Sequence, residues 1–284
     1  MFIEPMLAHQ SDRPFDSDEY IAEPKMDGFR LLLSTVDGIR GYTRHGNDVT
    51  DRFPELSKLS VPPETVLDGE LIVTGDGGRP DFEAVMRRLQ AGKQEKIQRL
   101  SHQLPVQYIV FDILYHRGQD ITKQPLMERK AILSKAIDED NTIATIRYVD
   151  GCGTDLFNVC SKMDLEGIVL KKKDAPYLAG KRSKAWQKVI NYKEAEVVIT
   201  GYRKSEFGWM IGIEEGNDIR PVGILELGVV PAERKALYEV SNLIKIAENE
   251  QFIYLEPRLR CKVKFRGWTS KGYMRLPVFQ HFIF

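Results

Sequence analysis

Residues 23–30, with the sequence EPKMDGFR, force a sharp corner in the chain around one lysine. A strand-like run precedes them, and Pro24 ends such a strand because proline fixes φ at about −65° and has no amide hydrogen. Gly28, in an Asp-Gly pair, supplies the backbone freedom for a reversal. Lys25 is therefore predicted to be held in one orientation, as a nucleophile must be. Taken alone, the segment also fits an ordinary Asp-Gly hairpin beside an incidental lysine.

The composition permits a large hydrophobic core and one or two domains. The chain has 284 residues, of which 42% are hydrophobic, and a formal net charge of +0. The basic residues are nevertheless clustered. Residues 257–284 contain seven Lys or Arg and no acidic residue, and residues 171–188 contain seven against Asp174 alone. Clusters of one sign indicate a polyanion site, although a single basic run is more often a solvated face.

Several classes of protein are excluded by features that the sequence lacks. Cys152, Cys160 and Cys261 are an odd number without a C-x-x-C pair, which indicates neither a disulfide framework nor a zinc site. A signal peptide has a basic segment followed by an apolar run, and the first residues of this sequence have neither feature in that order. No apolar stretch approaches the roughly 18 residues of a membrane span. The sequence therefore predicts a soluble, reduced, cytoplasmic protein without a membrane partner.

Residues 1–190 are predicted to form an α+β domain of antiparallel sheets with helices. Short runs rich in Val, Ile, Leu and Tyr indicate strands at 30–34, 39–43, 65–73, 106–114 and 167–171. Helical periodicity appears at 81–88, 93–100, 126–137 and 154–163. The two types do not alternate regularly, which argues against a doubly wound parallel sheet.

Residues 191–284 are predicted to form a second domain of another style. Compact strands at 196–202, 209–213, 222–229 and 259–265 are separated by glycine-containing turns, and residues 231–246 read as a helix with proline in its first turn. About five strands and one helix fit a small β-barrel. Periodicity alone does not choose between the OB fold and other small barrels.

Six motifs follow one another in the order found in the covalent nucleotidyltransferases. Residues 25–30 (KMDGFR) resemble the adenylation motif Lys-x-Asp-Gly-x-Arg of ATP-dependent DNA ligases and of their RNA ligase and mRNA-capping relatives. The other five are residues 42–46 (YTRHG), 67–71 (LDGEL), 110–114 (VFDIL), 166–171 (EGIVLK) and 186–188 (WQK). The chain is most similar to small two-domain ligases of bacterial or phage type. The resemblance implies a nucleotidyltransferase (adenylation) domain over residues 1–190 and an OB-fold barrel over residues 191–284.

The resemblance also implies a role for individual residues. Lys25 would carry AMP covalently, with Asp27 and Arg30 beside it, although Asp27 would equally cap the turn. Glu70 would bind ribose hydroxyls or a metal ion, Glu166 would bind Mg²⁺ or Mn²⁺, and Phe111 would stack on adenine unless it simply packs in the core. The complete ATP site predicted in this way comprises Glu23, Lys25, Arg30, Arg44, Glu70, Phe111, Glu166, Lys171 and Lys188.

The chemistry requires a neutral amine. An ordinary lysine, with a pKa of about 10.4, is almost entirely charged near pH 7. Neighbouring cations disfavour the charged form, and the candidates are Arg30, Arg44, Lys171, Lys188 and a bound metal ion. The same cations would neutralise charge on the phosphoryl oxygens, which is the main task of a protein in phosphoryl transfer.

The predicted function is that of an ATP-dependent DNA ligase, a monomer that seals nicks in duplex DNA through an adenylated 5′-phosphate. ATP is favoured over NAD because only 24 residues precede Lys25, and no zinc module is present. Three alternatives stay open at this point: an RNA ligase, a GTP-dependent capping enzyme, and an OB-type nucleic-acid-binding protein that has lost its chemistry. Two departures from the family pattern are Ile190, where a second lysine is frequent, and the missing Asp-Lys pair beyond residues 275–279.

DNA is predicted to contact two basic segments and the nucleotide site. The first segment, residues 87–102, would be partly helical, and the second is the C-terminal run of residues 258–275. The alternatives are a solvated helix for the first and an ordinary barrel strand for the second. An arginine fork such as that of Arg44 suits a phosphate. The predicted DNA contacts are Arg44, Lys93, Lys96, Arg99, Arg258, Lys262, Lys264, Arg266 and Arg275.

Overall fold

A computed structural model describes residues 1–283, apart from the side chain of Asp76. The chain divides into two units, Met1–Asn191 and Tyr192–Phe284. The strands of the first unit are β1 (Leu7–Gln10), β2 (Tyr20–Pro24), β3 (Phe29–Ser34), β4 (Arg40–Thr43), β5 (Val66–Val73), β6 (Val106–His116), β7 (Gln119–Asp120), β8 (Ile143–Thr145), β9 (Val149–Asp150), β10 (Gly167–Lys172) and β11 (Arg182–Ile190). Its helices are α1 (Phe82–Leu89), α2 (Gln94–Gln103), α3 (Leu126–Ala136) and α4 (Gly153–Lys162), with 3₁₀ turns at Thr50–Arg52, Pro54–Lys58 and Asp76–Gly78.

Two sheets organise the first unit. One has the order β1-β11-β10-β2-β9, and the other has the order β4-β3-β5-β6-β7 with β8 beside β6. Most neighbouring strands are antiparallel, and β1 with β11 and β6 with β8 are the parallel pairs. The predicted α+β class is confirmed. Strand β11 was not predicted, because its charged positions obscure the alternation of apolar side chains.

The two sheets face each other, because apolar residues on both faces of β3 are buried. Leu31 and Leu33 point into a core that includes Val85 of α1 and Leu133 of α3. Leu32 points the opposite way, into a second core shared with Trp186 of β11. Side chains alternate between the faces of a strand, so the continuous run Leu-Leu-Leu suits a strand covered on both sides.

The second unit contains β12 (Lys193–Arg203), β13 (Trp209–Glu215), β14 (Asp218–Leu225), α5 (Pro231–Ile244), β15 (Lys245–Glu248), β16 (Phe252–Phe265) and β17 (Val278–Ile283). Its antiparallel sheet has the order β14-β13-β12-β16-β15, with β17 paired to β16. Trp209 is fully buried against Phe207, Phe279 and Phe282. A curled antiparallel sheet closed by one helix is the architecture of an OB-type barrel.

The sequence analysis predicted a start for the third strand of this barrel that lies too far along the chain. Strand β14 begins at Asp218 rather than at residue 222, because Asp218 pairs with Glu215 across a two-residue turn. Among residues 1–283, no helix is both long and apolar enough to cross a membrane.

A buried ion pair joins α3 to the second sheet of the first unit. Arg129 donates from Nε and Nη2 to the two carboxylate oxygens of Asp112, at 2.8 Å each, and both side chains have no exposed surface. The Nη1 group of Arg129 donates to the carbonyl oxygens of Gln124 and Ala175. Asp112 directly follows Phe111, so this pair also fixes the strand position from which Phe111 projects.

Removing one member of the Arg129–Asp112 pair is expected to destabilise the protein strongly. Arg129→Met would leave a buried carboxylate without its partner, and the expected loss in the free energy of unfolding is about 3–5 kcal/mol. Arg147→Met is the matched control, because Arg147 is 79% exposed in its pair with Glu139 and the expected loss is about 0–1 kcal/mol. Denaturant titration measures both, and equal losses would contradict this account.

Candidate active site

A cavity lies between the two sheets of the first unit, and strand alternation decides which side chains reach it. Val169 and Lys171 of β10 line the cavity, whereas Ile168 and Leu170 pack toward α4. On β11, Trp186 lines the cavity together with Lys188, two positions later. The apolar strand thus carries a lysine into the protein interior because every second position faces the other sheet.

The cavity collects most of the predicted ATP site. Its volume is about 250 Å³. The predicted residues that line it are Glu23, Lys25, Arg30, Arg44, Glu70, Phe111, Lys171 and Lys188. Sheet register helps to assemble them: Glu23 and Lys188 both pair with Val169, and Arg30 pairs with Glu70. Residues from seven strands or strand ends therefore converge on one space large enough for a small polar ligand.

Lys25 and Glu166 form an ion pair at the edge of this cavity. The Nζ atom of Lys25 lies 2.6 Å from Oε2 of Glu166, whose side chain is only 3% exposed. The amide of Lys25 donates to the carbonyl oxygen of Gly167 at 2.8 Å. Asp27, Lys25 and Glu166 also line a small adjacent pocket together with Arg79. The corner after β2 is thus fastened to the corner before β10 through both backbone and side chain.

Two glycines allow this arrangement. Gly167 has a φ of 136°, and a Cβ atom there would lie 2.0 Å from the carbonyl oxygen of Val189. Gly28 is required for a different reason from the one that the sequence suggested. It does not adopt a positive φ; a Cβ atom there would lie 2.3 Å from the carbonyl oxygen of Leu71. Gly28 is therefore needed for close packing against β5 rather than for backbone freedom.

Arg30 is held by a buried carboxylate that the sequence analysis did not select. Its Nε and Nη2 atoms donate to Asp68 at 2.9 and 2.6 Å, and the hydroxyl of Tyr177 donates to the same carboxylate at 2.7 Å. Burial opposes the charge on Arg30, but the pair with Asp68 raises the pKa of Arg30 overall. Asp68 lies two residues before Glu70 on β5. Because side chains alternate along a strand, this spacing indicates that Asp68 and Glu70 face the same side of the sheet.

Glu70 has an unusual protonation equilibrium. Burial raises the pKa of the Glu70 carboxyl to about 8, against the opposing charges of Lys25 and Arg30. Repulsion from Glu166 contributes to the same shift, so the two carboxyl groups are electrostatic neighbours. A cation bound between them would relieve this repulsion.

Glu70 and Glu166 suit a Mg²⁺ or Mn²⁺ site that is completed by substrate. Among the side chains that the structure describes, no group of three or more His, Cys, Asp or Glu is suited to a metal ion. Mg²⁺ in phosphoryl-transfer enzymes is usually held by one or two carboxylates together with phosphate oxygens. The donors present fit that arrangement.

Lys171 is buried between two aromatic rings. Its Nζ atom lies 4.4 Å from the ring centroid of Phe111 and 4.1 Å from that of Trp186. It also lies 2.7 Å from Oε2 of Glu23. Burial lowers the pKa of Lys171 to about 8, against the attraction of Glu23. Trp186 was not predicted as a site residue, although it belongs to the motif at residues 186–188. Its Nε1 atom has no hydrogen-bond partner among the residues that the structure describes.

The predicted DNA contacts fall on three different parts of the chain. Arg44 lines the cavity. Lys93, Lys96 and Arg99 are exposed at the start of α2 and along it, and none of the three is ion-paired with a side chain that the structure describes.

The predicted C-terminal contacts differ, because acidic neighbours partly neutralise them. Arg258 pairs with Glu256, and Lys262 pairs with Glu194 at 2.7 Å. Lys264 lies over the ring of Tyr192. Arg266 and Arg275 face each other across a short hairpin, in which the Arg266 amide donates to the Arg275 carbonyl oxygen at 3.0 Å.

Comparisons with known proteins agree with the fold and show the family. The family model of the ATP dependent DNA ligase domain matches residues 5–189. The SPbeta prophage-derived DNA ligase-like protein LigB of Bacillus subtilis is 41% identical, over 99% of this chain and 98% of that protein. The multifunctional non-homologous end joining protein LigD of Pseudomonas aeruginosa is 30% identical over 98% of this chain, which spans 35% of LigD. A solved Lig E DNA ligase superposes with a TM-score of 0.70 over 100% of both chains at 18% identity.

The raised pKa of Glu70 predicts a pH-dependent contribution to stability. Between the ordinary value of 4.5 and about 8, the unfolded chain releases this proton while the folded chain keeps it. The free energy of unfolding therefore falls as pH rises through that window. Glu70→Gln, measured by metal-free denaturant titration, should gain stability relative to the parent from pH 5 to pH 8. A difference between the two proteins that stays constant with pH would contradict the assignment.

Proposed function

We propose, because this chain belongs to the family of ATP-dependent DNA ligases, that Lys25 is the nucleophile that takes AMP from ATP. The observation that carries the proposal is the convergence of Lys25, Arg44, Lys171 and Lys188 on the cavity that also contains Phe111. A lysine beside further cations and an aromatic ring suits a nucleotide whose α-phosphate must be attacked.

The first step is the transfer of AMP to Lys25. The Nζ atom attacks the α-phosphorus of ATP, an N–P bond forms, the bond from that phosphorus to the bridging oxygen breaks, and pyrophosphate leaves. Only a neutral amine has the lone pair for this attack. Oε2 of Glu166 lies 2.6 Å from Nζ and is positioned to accept the proton that Lys25 must lose.

The other cavity residues divide between the phosphates and the base. Arg44, Arg182 and Lys188 line the cavity and would neutralise the phosphate oxygens. Phe111 offers a ring on which adenine can stack. Arg30 already uses two nitrogens to bind Asp68, so it would act as a fixed positive charge in the cavity wall more than as a mobile clamp.

A divalent cation would be held by Glu166 and Glu70 together with phosphate oxygens. Mg²⁺ or Mn²⁺, when bound, supplies positive charge to the oxygens of the transferring group.

Two further phosphoryl transfers would complete the reaction at the same site. A 5′-phosphate oxygen of nicked duplex DNA attacks the AMP phosphorus and displaces Lys25. The 3′-hydroxyl then attacks the DNA phosphorus and displaces AMP, so that the strand is sealed.

We propose that the enzyme acts as a monomer in the cytoplasm, where the free cysteines Cys152, Cys160 and Cys261 would stay reduced.

Loss of Lys25 should separate the first step from the later ones. Lys25→Ala should abolish covalent labelling by α-labelled ATP but leave sealing of a pre-adenylated nick measurable, since the lysine is consumed only in the first step. Lys25→Arg should be equally inactive in labelling, because guanidinium does not lose its proton near neutral pH. Lys172→Ala is the control, since Lys172 pairs with Glu19 and Asp174 and does not line the cavity. Labelling of Lys25→Ala by ATP would show that another residue is the nucleophile.

The DNA interface is proposed to include α2. Its cations Lys93, Lys96 and Arg99 are exposed and pair with no acidic side chain that the structure describes, whereas some of the predicted C-terminal cations form ion pairs. The helix is anchored at its end, because buried Arg88 donates to the carbonyl oxygen of Leu104 at 2.7 Å and to Glu55. A cationic surface on an anchored helix suits a phosphate backbone.

Salt dependence tests this interface. Changing Lys93, Lys96 and Arg99 together to Ala should weaken nick binding and flatten the slope of log K against log salt by roughly 2.7, about 0.9 for each lost phosphate contact. Labelling of Lys25 by ATP should stay near that of the parent.

A control variant separates contact from net charge. Lys123, Lys135 and Lys162, changed together to Ala, remove the same number of charges from exposed positions elsewhere in the first unit. That control should leave the slope close to the parent value. An unchanged slope in the α2 variant would remove α2 from the DNA interface.

A further inference from the structure

Three buried charged side chains meet at the wall of the cavity. Glu23 lies between Lys130 and Lys171, with Oε1 paired to Lys130 and Oε2 paired to Lys171 at 2.7 Å. The exposed fractions of their side chains are 3%, 6% and 2%. A single carboxylate thus has a different ammonium group on each oxygen.

Lys130 differs from its two partners because it does not line the cavity. It comes from α3 and lines a separate surface pocket with Arg147 and Tyr148. Its Nζ atom also donates to the carbonyl oxygen of Phe111 at 3.2 Å. Lys130 therefore contacts both the carboxylate of Glu23 and the backbone of Phe111 from behind the cavity wall.

The two contacts fix an orientation that neither lysine would fix alone. The terminal torsion of a glutamate side chain is broad, so one ion pair leaves the plane of the carboxylate free to turn. Ammonium groups on both oxygens hold that plane in place. They also leave each oxygen a lone pair for a further donor.

The consequence for substrate rests on the proposed function, in which adenine stacks on Phe111. Adenine carries an amino donor where guanine carries an oxygen acceptor. A carboxylate can only accept hydrogen bonds. A Glu23 carboxylate held at the cavity wall beside Phe111 would therefore accept from the amino group of adenine and repel the oxygen of guanine.

We propose that Lys130 is a positioning residue that holds Glu23 in the orientation that selects a 6-aminopurine triphosphate. Glu23 touches the base, and Lys130 acts only through Glu23. A site that is built to bond one polar group discriminates strongly against an analogue that lacks it, because its own buried partner is then left unpaired.

Covalent labelling of the full-length protein with two triphosphates tests the proposal. The probes are ATP and purine riboside triphosphate, which lacks the amino group. The parent should prefer ATP. Lys130→Met should lose roughly tenfold or more of that preference, the range expected for one hydrogen bond to a charged group. The loss should appear as a higher half-saturating ATP concentration, with the maximal labelling rate little changed.

Two further variants separate positioning from a structural role. Lys130→Arg keeps the positive charge and should recover part of the preference. Lys135→Met makes the same chemical change at an exposed position of α3 and should match the parent. In a double-mutant cycle, Glu23→Leu, which has no acceptor, should lose the preference by itself, and adding Lys130→Met should cause no further loss.

The proposal is overturned if Lys130→Met keeps the parental preference, or if it slows labelling by both triphosphates equally. If Lys130→Met does not fold, Lys130→Gln takes its place, with the same expected loss and the same overturning results. If Glu23→Leu and its parent show equal preference, the proposal also fails. A parent that is labelled by neither triphosphate would overturn the proposed function instead, so the two failures are distinguishable.

Discussion

Lys25 and Glu166 lie 141 positions apart in the chain, and the ion pair between them joins the corner after β2 to the corner before β10. The neighbouring backbone makes that contact possible, because Gly167 lets the chain pass within hydrogen-bonding distance of the Lys25 amide. Around this junction, two sheets present alternate side chains to a shared cavity. The positions of the proposed nucleophile, of the carboxylates proposed to hold a metal ion and of the aromatic wall all depend on it.

The electrostatics of the cavity follow from burial. Charged groups inside a protein are stabilised by close partners rather than by water, and the described site contains such pairs at Arg30 with Asp68 and at Lys171 with Glu23. These pairs fix the Arg30 and Lys171 side chains in the cavity wall. Further arginine and lysine side chains line the same cavity, so a chain with a net charge of +0 can still concentrate basic groups around one site.

The sequence predicted the side chains that lie within recognisable motifs on single strands. Glu70, Phe111 and Lys171 line the cavity. Each lies on a strand whose alternation of side chains is recognisable from the neighbouring apolar residues. Pairing between distant elements could not be predicted in this way. The period of two shows which side of β5 Asp68 faces, but not its ion pair with Arg30, 38 positions away. Likewise, nothing in the α3 sequence marks Lys130 as the partner of Glu23.

The site of AMP attachment tests the central claim most directly. The protein would be incubated with ATP and Mg²⁺ or Mn²⁺, digested, and mapped by tandem mass spectrometry under conditions that preserve phosphoramidates. The account predicts one adduct with the mass of AMP, on the peptide that contains Lys25 and on that lysine. An adduct on Lys171 or Lys188, or a labelled protein in which Lys25 is unmodified, would contradict it.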